Sequence, residues 1–231
     1  MNAIADIWNH LDWSVLTDML LSVIPALLCI TLHELGHGLA AWLLGDPTAK
    51  DAGRLTLNPI KHIDPLGTLM LVVFHFGYAK PVPVNMYNFK NPRRGMAVTA
   101  LAGPVMNLLI AVVFLFLYGV CMIPLYYREA WGQTGFYLME MLYLTAYISI
   151  GMGIFNLLPI PPLDGSKVLY SVISEEAYYK LMRYERYGMI ALLVLAYTGV
   201  LGAPLSAAVS WVFGKLMVIA QYGFNLVRKL V

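Results

Sequence analysis

His33-Glu34-Leu35-Gly36-His37 places two histidines four residues apart with a carboxylate between them. On a helix these positions share one face, so both imidazoles can reach a single cation while the glutamate stands beside it. A zinc ion held this way lowers the pKa of its water to about 7, and a neighbouring carboxylate can take the proton. The chemistry is metal-assisted hydrolysis, with His33 and His37 as ligands, Glu34 as general base and one catalytic zinc ion as cofactor. The setting is unusual, because the motif sits inside an apolar segment running from Met19 to Leu44. Each ionisable group near a bilayer centre costs about 2.5–3.5 kcal/mol, so three within one turn call for a compensating partner such as a metal. The competing use of such residues is a buried polar cluster that packs helices.

A catalytic zinc takes three protein ligands and leaves the fourth position to water. No third histidine follows at a useful spacing, and the best candidate is Asp164, at the end of Asn156-Leu157-Leu158-Pro159-Ile160-Pro161-Pro162-Leu163-Asp164-Gly165. An apolar segment runs straight into prolines at 159, 161 and 162, which end a helix and favour extended backbone. Non-helical backbone at membrane depth must be buried in protein or line a wet cavity. Taken alone, Asp164-Gly165 also suits a plain turn at a membrane exit.

The elements that must position these groups are membrane helices. Hydrophobic residues make up 60% of the 231-residue chain and charged residues 12%, against about 25% charged in soluble domains. The composition predicts one all-α polytopic membrane domain over residues 1–231, with spans near 15–44, 95–124, 134–158, 187–203 and 205–226. Pro25 is a candidate kink in the first. The apolar stretch from Leu66 to Tyr78 is shorter than the about 20 residues a crossing needs, and Lys80 to Asn85 carries two prolines. Residues 66–85 therefore read as a re-entrant or interfacial extended segment. A net charge of +2 gives no case for nucleic acid. Cys29 and Cys121 both lie in apolar runs and form no disulfide framework. The N-terminus lacks the pattern of a removable signal peptide.

Lysine and arginine alternate along the connections. Residues 45–95 carry seven, the turn at Arg128 one, residues 159–187 four, and the end has Arg228 and Lys229. The positive-inside rule then puts the N-terminus outside and the C-terminus in the cytoplasm of a multi-pass cell-membrane protein. Helical rise carries His33 and His37 about 21–27 Å into a core about 30 Å thick, toward the cytoplasmic side. The site is expected in a cavity open to the cytoplasm, and Arg93-Arg94 is explained by orientation.

His33-Glu34-Leu35-Gly36-His37 together with the string from Asn156 to Gly165 resembles the site-2 protease family of intramembrane zinc metalloproteases. The likeness extends over Leu57-Asn58-Pro59, His62 to Gly67, Lys80 to Asn85 and Ala102-Gly103-Pro104, about residues 31–167 in all. It implies zinc on His33, His37 and Asp164, Glu34 as base, and cleavage of a transmembrane or membrane-associated protein segment in the bilayer. With no room for a PDZ or CBS domain, the chain resembles the minimal prokaryotic members.

An amide donor would help the developing oxyanion, and Asn107 and Asn156 are the candidates. Asn107 equally suits an interhelical hydrogen bond, and Asn156 suits a brace for the broken helix that leads to Asp164. Lys80 to Asn85 offers either an edge for a substrate strand or a plug for the cavity. His62 and His75 read as interfacial polar groups, and Cys29 as a small hydrophobe. Two rival functions remain at this level, a metal transporter and a noncatalytic membrane-protein-binding homologue. A transporter needs no base between two ligands, and a noncatalytic relative would have lost part of the set.

Overall fold

The computed structural model describes residues 13–65, 67, 79–169, 171–174, 176, 177, 180, 183 and 185–230. Helix α1 (Trp13–Leu43) runs unbroken through Pro25. It stops just before Gly45, whose φ of 103° lies in the region that glycine alone adopts freely. A connection follows with the single turn α2 (Thr48–Asp51) and 3-10 turns at Pro59–Lys61 and Met86–Asn88. Helix α3 (Pro92–Cys121) begins on Asn91, whose side chain accepts the Arg94 N–H, with Pro92 in the first turn. It continues as a π-helical turn over Met122–Tyr127, and so outlasts the end expected near Pro124. Helix α4 (Gln133–Asn156) leads into the prolyl stretch, after which come α5 (Asp164–Leu169), α6 (Glu185–Tyr197) and α7 (Gly202–Arg228).

Among the described residues, four helical stretches are long and apolar enough to cross a bilayer: Met19–Leu43, Pro92–Tyr127, Gln133–Asn156 and Gly202–Arg228. The 13 residues of α6 rise about 20 Å, less than the about 30 Å of a hydrocarbon core. The tail expected as two short spans is therefore one short helix and one long one, because the chain turns at residues 198–201. The chain is an all-α polytopic membrane protein. Of the expected re-entrant segment, residue 66 and residues 68–78 lie outside the described residues. Lys80 to Val84 is non-helical and enters through an isolated antiparallel bridge between Ile63 and Ala79.

Helix α3 is the hub. Its Ala111 and Leu115 meet Ala146 and Ile150 of α4 and Val209 and Ala220 of α7 in the main core. Lipid tails are as apolar as leucine, so membrane helices associate through close packing and interhelical hydrogen bonds. Both are present. A Cβ on Gly36 of α1 would stand 2.9 Å from the Ala102 carbonyl oxygen, and one on Gly119 of α3 would collide with the backbone of Ala220. Ser149 Oγ donates to the Asn107 carbonyl at 2.8 Å, and the Cys29 thiol donates to the Thr145 carbonyl at 3.5 Å. The outward surfaces stay apolar, with Val105, Leu109 and Val113 of α3 and Trp211 of α7 exposed.

Candidate metal centre and its cavity

His33 and His37 project one turn apart from α1 toward α3. There Gly103 makes their position feasible, because a Cβ on it would stand 2.5 Å from His37 Nε2 and 2.6 Å from His33 Cε1. The prolyl stretch brings in Asp164. Helix α4 ends at Asn156, as the prolines predict, residues 157–163 are turns and bends, and Asp164 opens α5. Gly165 lets it do so, since a Cβ there would collide with the carbonyls of Leu157 and Leu158. Asp164 is thereby pressed against the end of α4.

Asp164 Oδ2 lies 3.1 Å from His33 Nε2 and 3.0 Å from His37 Nε2, and the two nitrogens are 3.0 Å apart. The three residues are only 5–8% exposed. Such a buried cluster is held together either by protons shared as hydrogen bonds or by a metal cation, and two imidazole nitrogens with a carboxylate oxygen form a donor set that suits zinc. Tetrahedral zinc with bonds of about 2.0–2.1 Å spaces its ligand atoms about 3.3 Å apart, so a small outward relaxation fits the ion. His37 Nδ1 sits 2.7 Å from the Thr99 carbonyl oxygen. Donation of that N–H leaves the Nε2 lone pair facing the site, the arrangement typical of a metal-binding imidazole. The second carboxylate oxygen of Asp164 faces Lys167 Nζ at 3.4 Å, so the two oxygens are given different partners.

A cavity of about 190 Å³ adjoins these groups, lined by Glu34, His37, Asp164 and Lys167 with Val82, Val84 and Met96. Glu34 is outside the ligand triangle. Its Oε2 accepts the Val82 N–H at 2.9 Å, so the carboxylate is oriented by the prolyl segment.

The remaining candidates separate. Asn107, one turn beyond Gly103, is fully buried, and neither its Oδ1 nor its Nδ2 has a hydrogen-bond partner. Asn156 donates its Nδ2 to the Met152 carbonyl at 3.0 Å, one turn back on its own helix. His62 is fully buried rather than interfacial, with its Nε2 3.0 Å from the Thr56 carbonyl oxygen. His75 lies outside the described residues. Sequence reasoning missed Thr99, Lys167 and the Val82 amide. Thr99, Gly103 and Asn107 recur every four residues on α3, a readable signal for a face turned to the site. Lys167 likewise lies one turn after Asp164.

An all-helical membrane protein that sets two histidines and an aspartate around one point, beside a glutamate-lined cavity, is built as a membrane-embedded metallohydrolase. Residues 121–198 match the model of peptidase family M50. YwhC of Bacillus subtilis (strain 168), named as a candidate zinc metalloprotease, is 39% identical over 189 residues, covering 82% of this chain and 83% of its own. Rip2 of Mycolicibacterium smegmatis, named likewise, is 31% identical over 191 residues, covering 81% of this chain and 70% of its own. Rip2 of Mycobacterium tuberculosis (strain H37Rv) is 32% identical over 193 residues. No solved structure gives a significant match. The chain belongs to peptidase family M50, the site-2 protease family its motifs resemble.

Proposed function

We propose that this protein is an intramembrane zinc metalloprotease that hydrolyses peptide bonds within or beside transmembrane segments of membrane proteins. One observation carries this reading: Glu34 opens onto the same cavity as His37 and Asp164 while standing clear of the three converging ligand atoms. A site meant only to hold or pass a cation has no use for that carboxylate. His33, His37 and Asp164 hold the metal, which when bound polarises the scissile carbonyl and lowers the pKa of water to about 7. Glu34 removes the proton from the attacking water and later delivers one to the leaving amine. Asn107, buried and without a side-chain hydrogen-bond partner one turn beyond Gly103, is assigned as a donor to the oxyanion. Asn156 braces the end of α4, from which the segment carrying Asp164 departs.

Backbone in an intact helix is shielded, so the substrate unwinds locally and enters the cavity beside Val82 and Val84 as an extended strand. The N-terminus lies outside, the C-terminus lies in the cytoplasm, and the cavity opens to the cytoplasmic side, following the lysine and arginine alternation.

Reconstitution of the protein in liposomes with a transmembrane peptide substrate tests this. Cleavage is expected to vanish on zinc removal, return with zinc, and fall at least about a hundredfold in Glu34→Gln, whose zinc content stays that of the wild type. A Glu34→Gln variant that binds zinc and cleaves at the wild-type rate would overturn the mechanism.

A further inference from the structure

The prolyl segment that orients Glu34 is itself gripped from behind by a buried arginine. Arg54 follows α2 in the connection between the first two spans and is only 6% exposed. Its Nη2 donates to the Lys80 carbonyl at 2.6 Å and its Nη1 to the Pro81 carbonyl at 3.3 Å. The Pro81 carbonyl and the Val82 N–H belong to one peptide group, and that N–H donates to Glu34 Oε2 at 2.9 Å. The guanidinium and the carboxylate are thus joined through a single rigid amide plane. Each hydrogen bond in such a chain polarises the next.

We propose that Arg54 is a positioning residue for catalysis, acting on Glu34 through the Pro81–Val82 peptide. The proposal rests on the protease reading above. Three features support it. Pro81 and Pro83 have no N–H, so Val82 holds the sole backbone donor of that triplet and its neighbours restrict its backbone. The segment is fastened on both sides, by Lys80 N–H to the His62 carbonyl at 2.9 Å and by Asn85 N–H to Asp46 Oδ2 at 2.7 Å. Its seat on α1 is made by Gly38, one turn after Glu34, where a Cβ would stand 2.6 Å from Leu55 Cδ2 and 3.5 Å from Val82 Cγ1. An arginine conveys this grip better than a lysine, since its planar fork reaches two carbonyls at once. With Oε2 held, Oε1 stays available to water, and an error of about 1 Å in such a group can cost about a hundredfold in rate.

The test uses the full chain, zinc-loaded and in liposomes, with kcat and KM measured separately on a transmembrane peptide. Arg54→Met and Val82→Pro, which removes the amide hydrogen, are each expected to lower kcat at least about tenfold with KM and zinc content within about twofold. Arg54→Lys is expected to recover part of the loss. The double variant is expected to be no slower than the slower single one, because both act on one path. Amide hydrogen exchange over residues 80–85 gives a readout without turnover, expected to rise in Arg54→Met and in Glu34→Ala, with or without zinc. Additive losses, an unchanged kcat in Arg54→Met, or equal loss of folding or zinc in both Arg54 variants would overturn the proposal. A wild-type protein that cleaves no substrate would instead defeat the protease reading, leaving the exchange result to judge Arg54.

Discussion

A metal site in a membrane depends on what is left out of the helices as much as on what is put in. The imidazoles of His33 and His37 lie against Gly103, where a methyl group would enter the space of both rings. Gly103→Ala is therefore expected to push the Nε2 atoms apart and weaken zinc binding about 10–100-fold, the range seen when support around a ligand is disturbed. Competition with a chromogenic chelator reads this directly, and wild-type affinity in the variant would show that Gly103 does not set the rings. The histidines and Glu34 were legible because a spacing of four dictates a common face whatever surrounds the helix. The task of Gly103 was hidden, since it depends on which helix α1 meets, information that a single chain does not display. Asp164 lay between these cases. Its three prolines announced a broken helix, but the short helix α5 and the Lys167 contact arise only once Gly165 packs on the end of α4.

Among elements, the connection between α1 and α3 does the most to hold the cavity in shape, and Asp46 is its staple. With no exposed surface, Asp46 accepts from the Thr48 N–H at 3.1 Å, the Thr48 hydroxyl at 2.5 Å, the Asn85 N–H at 2.7 Å and Asn88 Nδ2 at 2.7 Å. Burial by itself pushes its carboxyl pKa up, but the hydrogen bonds from Thr48, Asn88 and Asn85 outweigh it, and the group ends below the ordinary 3.8. A depressed folded-state pKa stabilises the fold above the unfolded value and loses that contribution as pH falls through the folded one. The connection is thus expected to loosen only below about pH 4, read as faster hydrogen exchange over residues 80–90. Asp46→Ala should cost about 2–3 kcal/mol at neutral pH, since several donors lose a charged acceptor. A melting temperature equal to the wild type would refute the staple. Little of this was readable beforehand. Gly45-Asp46-Pro47 marked the end of a helix, but Asn85 and Asn88, which tie Asp46 to the far end of the connection, lie about 40 residues along the chain, and pairing at that range follows from packing rather than local preference.

At the scale of the molecule, the helix ends sort into two sets that the charges distinguish. The C-terminal end of α1, the start of α3 and the end of α4 share one side, since Gly36 meets Ala102 and Asp164 meets the histidines there. That side carries the connections with seven and four basic residues, and Lys50 lies 4.8 Å over the Trp42 ring, a pairing suited to a headgroup layer. The other end of α3 and α4 carries Arg128 as its one basic residue, amid exposed Tyr126, Tyr127, Trp131, Phe136 and Tyr137, the composition of an interfacial aromatic belt. The basic side should face the cytoplasm, because lysine and arginine are retained there. The long α7 then matters to the count. It starts beyond the turn at 198–201 and ends at Arg228, so its C-terminal end returns to the basic side only if α6 reaches the opposite one. At 13 residues α6 is short for this, and local thinning of the bilayer would make up the difference. A cytoplasm-active reporter fused after Val231 is expected to be functional, and a cysteine replacing Arg128 should react with an impermeant maleimide added from outside. Labelling of the Arg128→Cys variant only after the cells are opened would invert the topology and place the cavity on the outer face.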